Sequence, residues 1–472
     1  MLIGGFYMPA INFILNSLND FLYTYILIGL LVICGIYFSF KTKFVQIRYF
    51  SESLRLIREK SSKAQISSFQ ALMISTASRV GTGNIAGITT ALVAGGPGSV
   101  FWMWIMAIFG TASAFVESTL AQIYKVHDDD GVSFRGGPAY YIQSALGKRN
   151  IGILFSSLLI LCFSCGFNAL QSYQISSSFD YYIPEYGQNI WHFVIGTVLS
   201  LITALVIFGG THRIGFISSA VVPFMASIYI GVGVYITFIN LDKLPAIVSL
   251  IIKDALDIKA IFGGFAGSVV LIGIKRGLFS NEAGMGSAPN ASATADVSHP
   301  VKQGIVQVLS VFIDTLICTA TAFIILSSKI NLDGHLDGIP LVQQALNNEL
   351  GEFGIHFISI SIFLFAFSSI IGNYCYSESN ILFIHDSPKL LIAFRMFCIL
   401  PVFLGAISSS DLVWNFADIC MGLMSIVNII SILLLSDRVI ICLKDYSKQK
   451  AKGIEPCFNA LKCDIKDTHL WK

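Results

Sequence analysis

Apolar residues run through this chain in blocks of about twenty, divided by short polar stretches, and a block of that length is what one helix needs to cross lipid. Eleven such blocks can be placed, at roughly 21–40, 67–94, 98–124, 151–178, 190–209, 215–239, 260–284, 303–327, 354–377, 388–408 and 412–436. Residues 1–20 read as an amphipathic segment at the membrane interface. Two further stretches mix apolar and charged positions at helical spacing. LDKLPAIVSLIIKDALDIKA (241–260) predicts a helix lying on the outside of the bundle, and INLDGHLDGIPLVQQALNNELGEFG (330–354) predicts a short lid helix.

Composition agrees with this pattern. Of the 472 residues, 54% are hydrophobic and 12% charged, against about 25% charged in soluble domains, and mean hydropathy is +0.73. An all-α polytopic membrane protein is expected, because lipid leaves backbone polar groups no partner but their own helix. Most of the ten cysteines, such as Cys162, Cys165, Cys318, Cys398 and Cys420, fall inside apolar blocks as small packing residues, and no disulfide is needed. No charged stretch precedes the first apolar block, so a cleavable signal peptide is not expected.

The net charge of +2 says little, but the placement of the basic residues sets an orientation. The linker 41–63 carries seven Lys and Arg, and the tail after Asp437 carries eight. With the linker inside, alternating eleven spans puts the tail inside as well, and only Lys243, Lys253, Lys259 and Lys329 of 30 basic residues fall outside. The N-terminus is then external and the C-terminus cytoplasmic.

Two blocks break their own helical pattern. RVGTGNIAG (79–87) has three glycines in seven residues, each weakening a helix by about 1 kcal/mol, and it places Arg79 and Asn84 at membrane depth. GGFAG (263–267) interrupts a second block. Without the first span, the other ten divide five and five, each set opening on a broken span. An odd number per set gives the halves opposite topology, the pattern of inverted-repeat transporters. A broken helix exposes N–H groups at one half-helix start, suited to a carboxylate, and C=O groups at the other half's end, suited to a cation such as sodium. The same glycines would also serve close helix packing alone.

Four stretches carry a family resemblance: FQALMISTASRVGTGNIAGITTALVAGGPGSVFWMWIMAIFGTASAFVESTLAQIYK (69–125), FRGGPAYYI (134–142), KRGLFSNEAGMGSAPNASATADVSHPVKQG (275–304) and FAFSSIIG (365–372). They resemble the alanine or glycine:cation symporters of bacteria and archaea, over about residues 20–440. The resemblance implies a LeuT-type fold: ten core helices in two inverted five-helix repeats, broken first and sixth core helices, and one extra helix, eleven transmembrane helices in all. Residues 1–40 would form the amphipathic segment and extra helix, 41–66 the basic cytoplasmic linker, 67–239 and 240–436 the repeats, and 437–472 the basic cytoplasmic tail. It also implies a bacterial inner-membrane location, with small neutral amino acids and lipid as the partners, no nucleic acid, and a monomer sufficient.

Carried onto these residues, the resemblance implies that the N–H groups of Thr82 and Gly83 meet the substrate carboxylate, with Asn84 and Gln171 nearby and Gly264, Phe265 and Gly267 shaping the pocket. Sodium would sit among the carbonyls of Ala77, Val80 and Phe365 and the hydroxyls of Ser368 and Ser369. The co-transported ion is Na+, with a proton as the alternative. This chain departs from the family in having Asn373 where a tryptophan walls the pocket, Tyr376-Ser377-Glu378-Ser379-Asn380 for Tyr-Gly-Glu-Arg, and Gln171-Ser172-Tyr173 for a Gln-x-Asn pattern. Loss of the aromatic enlarges or polarises the pocket, so alanine, D-alanine, glycine, serine, glutamine and asparagine all stay open as substrates.

Single charges remain ambiguous in sequence. Arg79 reads either as a gate or as a residue paired with a helix-end carbonyl or Glu117. Glu282 reads as an inner-gate partner of Lys275 and Arg276, or as part of a solvated turn. Asp314, alone in mid-span, is a candidate for proton or cation binding, as is Asp418 to a lesser degree. Cys457, Cys463 and His469 lack structural-zinc spacing, NAS (290–292) falls inside, HDDDG (127–131) reads as a cytoplasmic loop, and GTGNIAG lacks the strand and GK[ST] of a nucleotide loop. An enzyme is not expected, since no nucleophile–base pair or acidic metal cluster appears at membrane depth. A channel or a non-transporting sensor is the other alternative.

Overall fold

The computed structural model describes residues 7–59, 65–128, 131, 133–186, 189–209, 211–257, 268–332 and 334–471. Its regular structure is helical apart from a two-stranded ribbon pairing Val126–His127 with Phe134–Arg135. The principal helices are α1 (Phe13–Lys41), α2 (Ser68–Arg79), α3 (Ala86–Gly95), α4 (Gly98–Ile123), α5 (Arg149–Ser177) and α6 (Trp191–Ile207). They continue with α7 (Thr211–Ile239), α8 (Val269–Asn281), α9 (Pro300–Ser327), α10 (Glu352–Ile384), α11 (Pro388–Ala406) and α12 (Ser410–Ala451). Among the described residues, 8 helices are long and apolar enough to cross a membrane. Leu205, Phe224, Phe238 and Leu434 are 65–71% exposed on outward faces, while the interior is rich in buried Ser, Asn and Gln. This inverts the soluble pattern, because lipid covers the apolar faces.

The predicted span 67–94 is two helices. A capping box starts α2, with the Ser67 hydroxyl accepting the Gln70 N–H and the Gln70 side chain accepting the Ser67 N–H. The helix ends at Val80, whose backbone is extended, and a short 3₁₀ turn over Thr82–Asn84 leads into α3. For the predicted span 260–284, α8 supplies the second part. GGFAG, with Gly264, Phe265 and Gly267, lies outside the described residues.

The helices form two groups. Helices α2, α3, α4, α8 and α9 pack together, as do α5, α6, α10 and α11, and α7 and α12 touch both. Within α5, a π-helical turn over Leu161–Phe167 precedes Asn168 and Gln171 and changes the helix register just before those two residues.

The helix expected at 241–260 is Leu244–Ala255, docked on the start of α4. The Gly98 N–H donates to Asp254 Oδ2 at 2.7 Å, and Trp102 Nε1 donates to the Ala255 carbonyl at 3.1 Å. A Cβ on Gly98 would lie 2.3 Å from the Ala255 backbone nitrogen. Gly98→Ala should therefore push this helix off α4 and destabilise the fold by about 1–3 kcal/mol. Wild-type melting together with wild-type hydrogen exchange over 244–255 would refute that docking. Within 330–354, where a short helix is expected, a helix runs Gly338–Leu350 and reaches the Ser178 carbonyl through Gln343 Nε2 at 2.9 Å.

After α12 the tail folds back on the linker face. Trp471 Nε1 donates to the Gln122 carbonyl at 2.8 Å, and Lys302 lies 2.5 and 2.6 Å from Glu59 and Glu455. Burial pushes the Glu52 carboxyl up, but hydrogen bonds from Arg55, Lys450 and Tyr446 outweigh it and hold the group down at about 2.

Candidate substrate and cation site

The discontinuity between α2 and α3 re-routes two backbone bonds. In an uninterrupted helix the Gly81 N–H would donate to the Ala77 carbonyl. Here it donates to Asn84 Oδ1 at 3.0 Å, and the Thr82 N–H donates to Gln171 Oε1 at 3.1 Å. The freed Ala77 carbonyl faces Ser369 of α10. The Ser369 hydroxyl lies 2.9 Å from Ala77 O, 3.4 Å from Val80 O and 3.0 Å from Phe365 O, and Ser368 Oγ lies 2.9 Å from the same Phe365 carbonyl. The five residues expected to hold a cation thus converge across the α2–α10 seam. A hydroxyl has one hydrogen to give, so three carbonyl oxygens around Ser369 leave an excess of acceptors. An oxygen-rich cluster of this kind suits a hard monovalent cation.

The residues expected at the substrate divide. Thr82, Gly83 and Gln171 meet at the break, and the buried Thr82 hydroxyl has no hydrogen-bond partner among the described residues. The Gln171 amide holds the N–H expected to meet a carboxylate. Asn84 turns away from this point. Its Nδ2 donates to the Asp314 carboxylate at 2.6 Å and contacts Cys318 Sγ at 3.2 Å. Asn373 is not brought to Thr82 either. One helical turn past Ser369, it receives Ser78 Oγ at 2.8 Å and donates to Asn168 Oδ1 at 3.0 Å.

Asn373 belongs instead to a polar column running from the break toward the linker face. Ser78 also lies 3.1 Å from Glu282 Oε1, and Ser287 donates to Glu282 Oε2 at 2.6 Å. Further along, Asn380 joins Asn290 at 2.9 Å and Ser156 at 2.9 Å. Beyond these a cavity of about 100 Å³ opens among Ile66, Arg135, Asn290, Tyr376 and Glu378.

Phe279 lies inside the 275–304 motif, yet its role emerges only in three dimensions. Its ring packs so close to Gly83 that a Cβ there would lie 3.0 Å away. It is also one member of an aromatic wall, 4.8 Å from the Phe167 centroid and 5.0 Å from Trp414. A bulky aromatic two residues before the end of α8, inside the 275–304 motif, is the signal that was available.

The intramembrane charges pair differently from expectation. Lys275 and Arg276 bind Asp418 of α12, at 2.8 and 3.1 Å, and Arg276 stacks 4.1 Å over Trp414. Glu282 lies past the end of α8 with a left-handed φ of 52°, which turns its carboxylate to Ser78 and Ser287. Glu117 accepts the N–H groups of Gly284 and Gly286, at 3.3 and 3.0 Å, and Asn428 Nδ2 at 2.8 Å, instead of pairing with Arg79. Arg79 is 2% exposed, and among the described residues all three of its guanidinium nitrogens lack hydrogen-bond partners. Its charge acts at longer range on Glu117, Glu282 and Asp314.

Comparison with solved structures supports the fold. The crystal structure of MhsT in complex with L-phenylalanine matches with a TM-score of 0.58 at 14% identity, over 77% of this chain and 88% of that one. A manganese transporter from Eremococcus coleocola matches at 0.52 and 12% identity, over 82% and 80%. In sequence, this chain is 46% identical to the amino-acid carrier protein AlsT of Bacillus subtilis over 98% of both chains. It is 48% identical to that organism's probable sodium/glutamine symporter GlnT, over 94% of this chain and 92% of the relative. The sodium/alanine symporter AgcS of Methanococcus maripaludis is 34% identical over 90% and 95%. The sequence profile of the sodium:alanine symporter family matches residues 8–460. With its broken helix, its clustered oxygens and these relatives, the chain belongs to the sodium:alanine symporter family and is a transporter, not an enzyme.

Proposed function

We propose that this amino-acid:cation symporter couples sodium entry to uptake of a small neutral amino acid by alternating access. Sodium binds the carbonyls of Ala77, Val80 and Phe365 with the hydroxyls of Ser368 and Ser369, and the observation that carries this is the set of three carbonyls around Ser369. Two of those carbonyls belong to the end of α2, so the ion fixes the chain just ahead of Gly81. The substrate carboxylate then takes the Thr82 N–H that Gln171 occupies, with the Thr82 hydroxyl and Gly83 N–H beside it and Phe279 as the wall. Gly264, Phe265 and Gly267 are assigned to the pocket by the family resemblance, Asn84 acts on the site through its bond to the Gly81 N–H, and Asn373 acts one turn below as a latch with Ser78 and Asn168. The polar column beneath that latch is the route to the cytoplasm.

The same reading takes eleven spans in inverted five-helix repeats over 67–239 and 240–436, an external N-terminus, a cytoplasmic linker and tail, a bacterial inner membrane and a sufficient monomer. Alanine and glutamine head the substrate candidates, because relatives named for each stand close to this chain. Glycine, serine and D-alanine follow.

Membrane vesicles carrying the full chain provide the test. An inward sodium gradient should drive uptake of labelled alanine or glutamine, and uptake indifferent to sodium would overturn the coupling. Ser369→Ala removes one ligand and should raise the half-maximal sodium concentration about tenfold at equal protein level. Unchanged sodium activation would sink the site.

A further inference from the structure

Asp314 is a buried acid of α9, 2% exposed, and among the described residues no basic side chain lies within ion-pair distance of it. Among the described residues its carboxylate receives only neutral donors. Asn84 Nδ2 lies 2.6 Å from Oδ1, Ser280 Oγ lies 2.9 and 3.0 Å from the two oxygens, and Cys318 Sγ is 4.0 Å from Oδ2. The other charges acting here are those of Arg79 at the end of α2 and Glu282 at the end of α8. A water-sized cavity of about 10 Å³, lined by Asp314, Ser280, Cys318, Thr315 and Trp104, adjoins the carboxylate.

The donor set discriminates between a metal ion and a proton. The Asn84 amide cannot turn its oxygen toward Asp314, because that oxygen accepts the Gly81 N–H, which has no helical partner at the break. Asn84 therefore presents hydrogens to the carboxylate, where a sodium ion would need oxygens. A surround of N–H, O–H and S–H donors accommodates a carboxylate that gains and loses a proton. Glu117 is held by three N–H donors away from the break and Glu282 by two hydroxyls in the polar column. Asp314 alone of these acids touches the discontinuity, and the single residue Asn84 links it to Gly81, next to the Thr82 N–H.

We infer that Asp314 is a proton-binding site, loaded from the outer solution and unloaded to the cytoplasm, whose occupancy is transmitted to the substrate and sodium sites through Asn84. On loading, the proton adds to a carboxylate oxygen and Ser280 turns from donor to acceptor. On release, Ser280 and Asn84 donate to the carboxylate again. The inference rests on the transport reading above and adds a second coupled cation to it.

The test uses proteoliposomes of the full chain with a trapped pH dye, following labelled alanine and glutamine uptake and lumenal pH together. Wild-type uptake should acidify the lumen. No uptake at all overturns both readings, while uptake without acidification overturns the proton site alone. In Asp314→Asn the protons moved per amino acid should fall to the protein-free baseline, and persistence of the wild-type ratio would refute the assignment. If that variant moves no amino acid, Ser280→Ala decides. Loss of a donor to the carboxylate should move the pH midpoint of uptake about one unit to the alkaline side, and an unmoved midpoint rejects the site.

Discussion

Gly81→Ala should abolish sodium-driven uptake in a protein that still folds. The φ at Gly81 is −146°, outside the left-handed region that favours glycine. The obstacle is contact. A Cβ at this position would lie 2.3 Å from Ser369 Oγ and 2.9 Å from Gln171 Nε2. Both are ends of side chains, so they swing aside and the helices need not part. The hydroxyl that sits among three carbonyls and the amide that holds the Thr82 N–H are displaced by one methyl group. Ser369 is a ligand of the cation and Gln171 lies at the substrate, so losses of about 1.5 kcal/mol fall on each site and together weaken sodium-driven uptake roughly 100-fold. Near-wild-type melting combined with that loss is the expected result. A variant whose half-maximal sodium matches wild type would show that Ser369 and Gln171 do not act together.

The largest effect on stability is expected from Asp418→Ala. The Asp418 carboxylate is fully buried and is the ion-pair partner of Arg276, whose side chain is 8% exposed, and of Lys275, 14% exposed. Tyr23 of α1 donates to the Asp418 backbone carbonyl at 3.0 Å, while its ring lies 4.8 Å from Lys275 Nζ. The acid therefore ties α8 to α12 beside α1. Removing it strands two positive charges in a low-dielectric interior, at a cost of about 3–5 kcal/mol. Asp418→Asn, which keeps hydrogen-bonding capacity without the charge, should lose less. The check is thermal unfolding of the detergent-purified protein, and an Asp418→Ala midpoint equal to wild type would rule out this role.

The break was legible in RVGTGNIAG, because closely spaced glycines and polar residues inside an apolar block are incompatible with a stable continuous helix. The oxygens around Ser369 became specific only through resemblance, since backbone carbonyls carry no mark in sequence. Side-chain partners were less legible. Nearness in sequence matches Lys275 and Arg276 to Glu282, whereas their partner lies on α12 in Asp418. Balancing all intramembrane charges would have raised that pairing, because Asp418 inside a span needs a cation and few are available. The residue that Asn373 replaces suggests a pocket wall, but the helical period puts Asn373 one turn beyond Ser369, level with Asn168 and Ser78. Among the described residues the Arg79 guanidinium has no hydrogen-bond partner and lies amid the charges of Glu117, Glu282 and Asp314.

Substrate affinity of the purified protein, titrated with alanine and with glutamine in sodium and again in choline, tests the central claim that the cation completes the substrate site. In wild type the amino acid that binds should bind at least about tenfold tighter in sodium, and in Ser369→Ala that ratio should fall toward one. Equal affinity in the two ions, or a ratio that survives Ser369→Ala, would contradict the account.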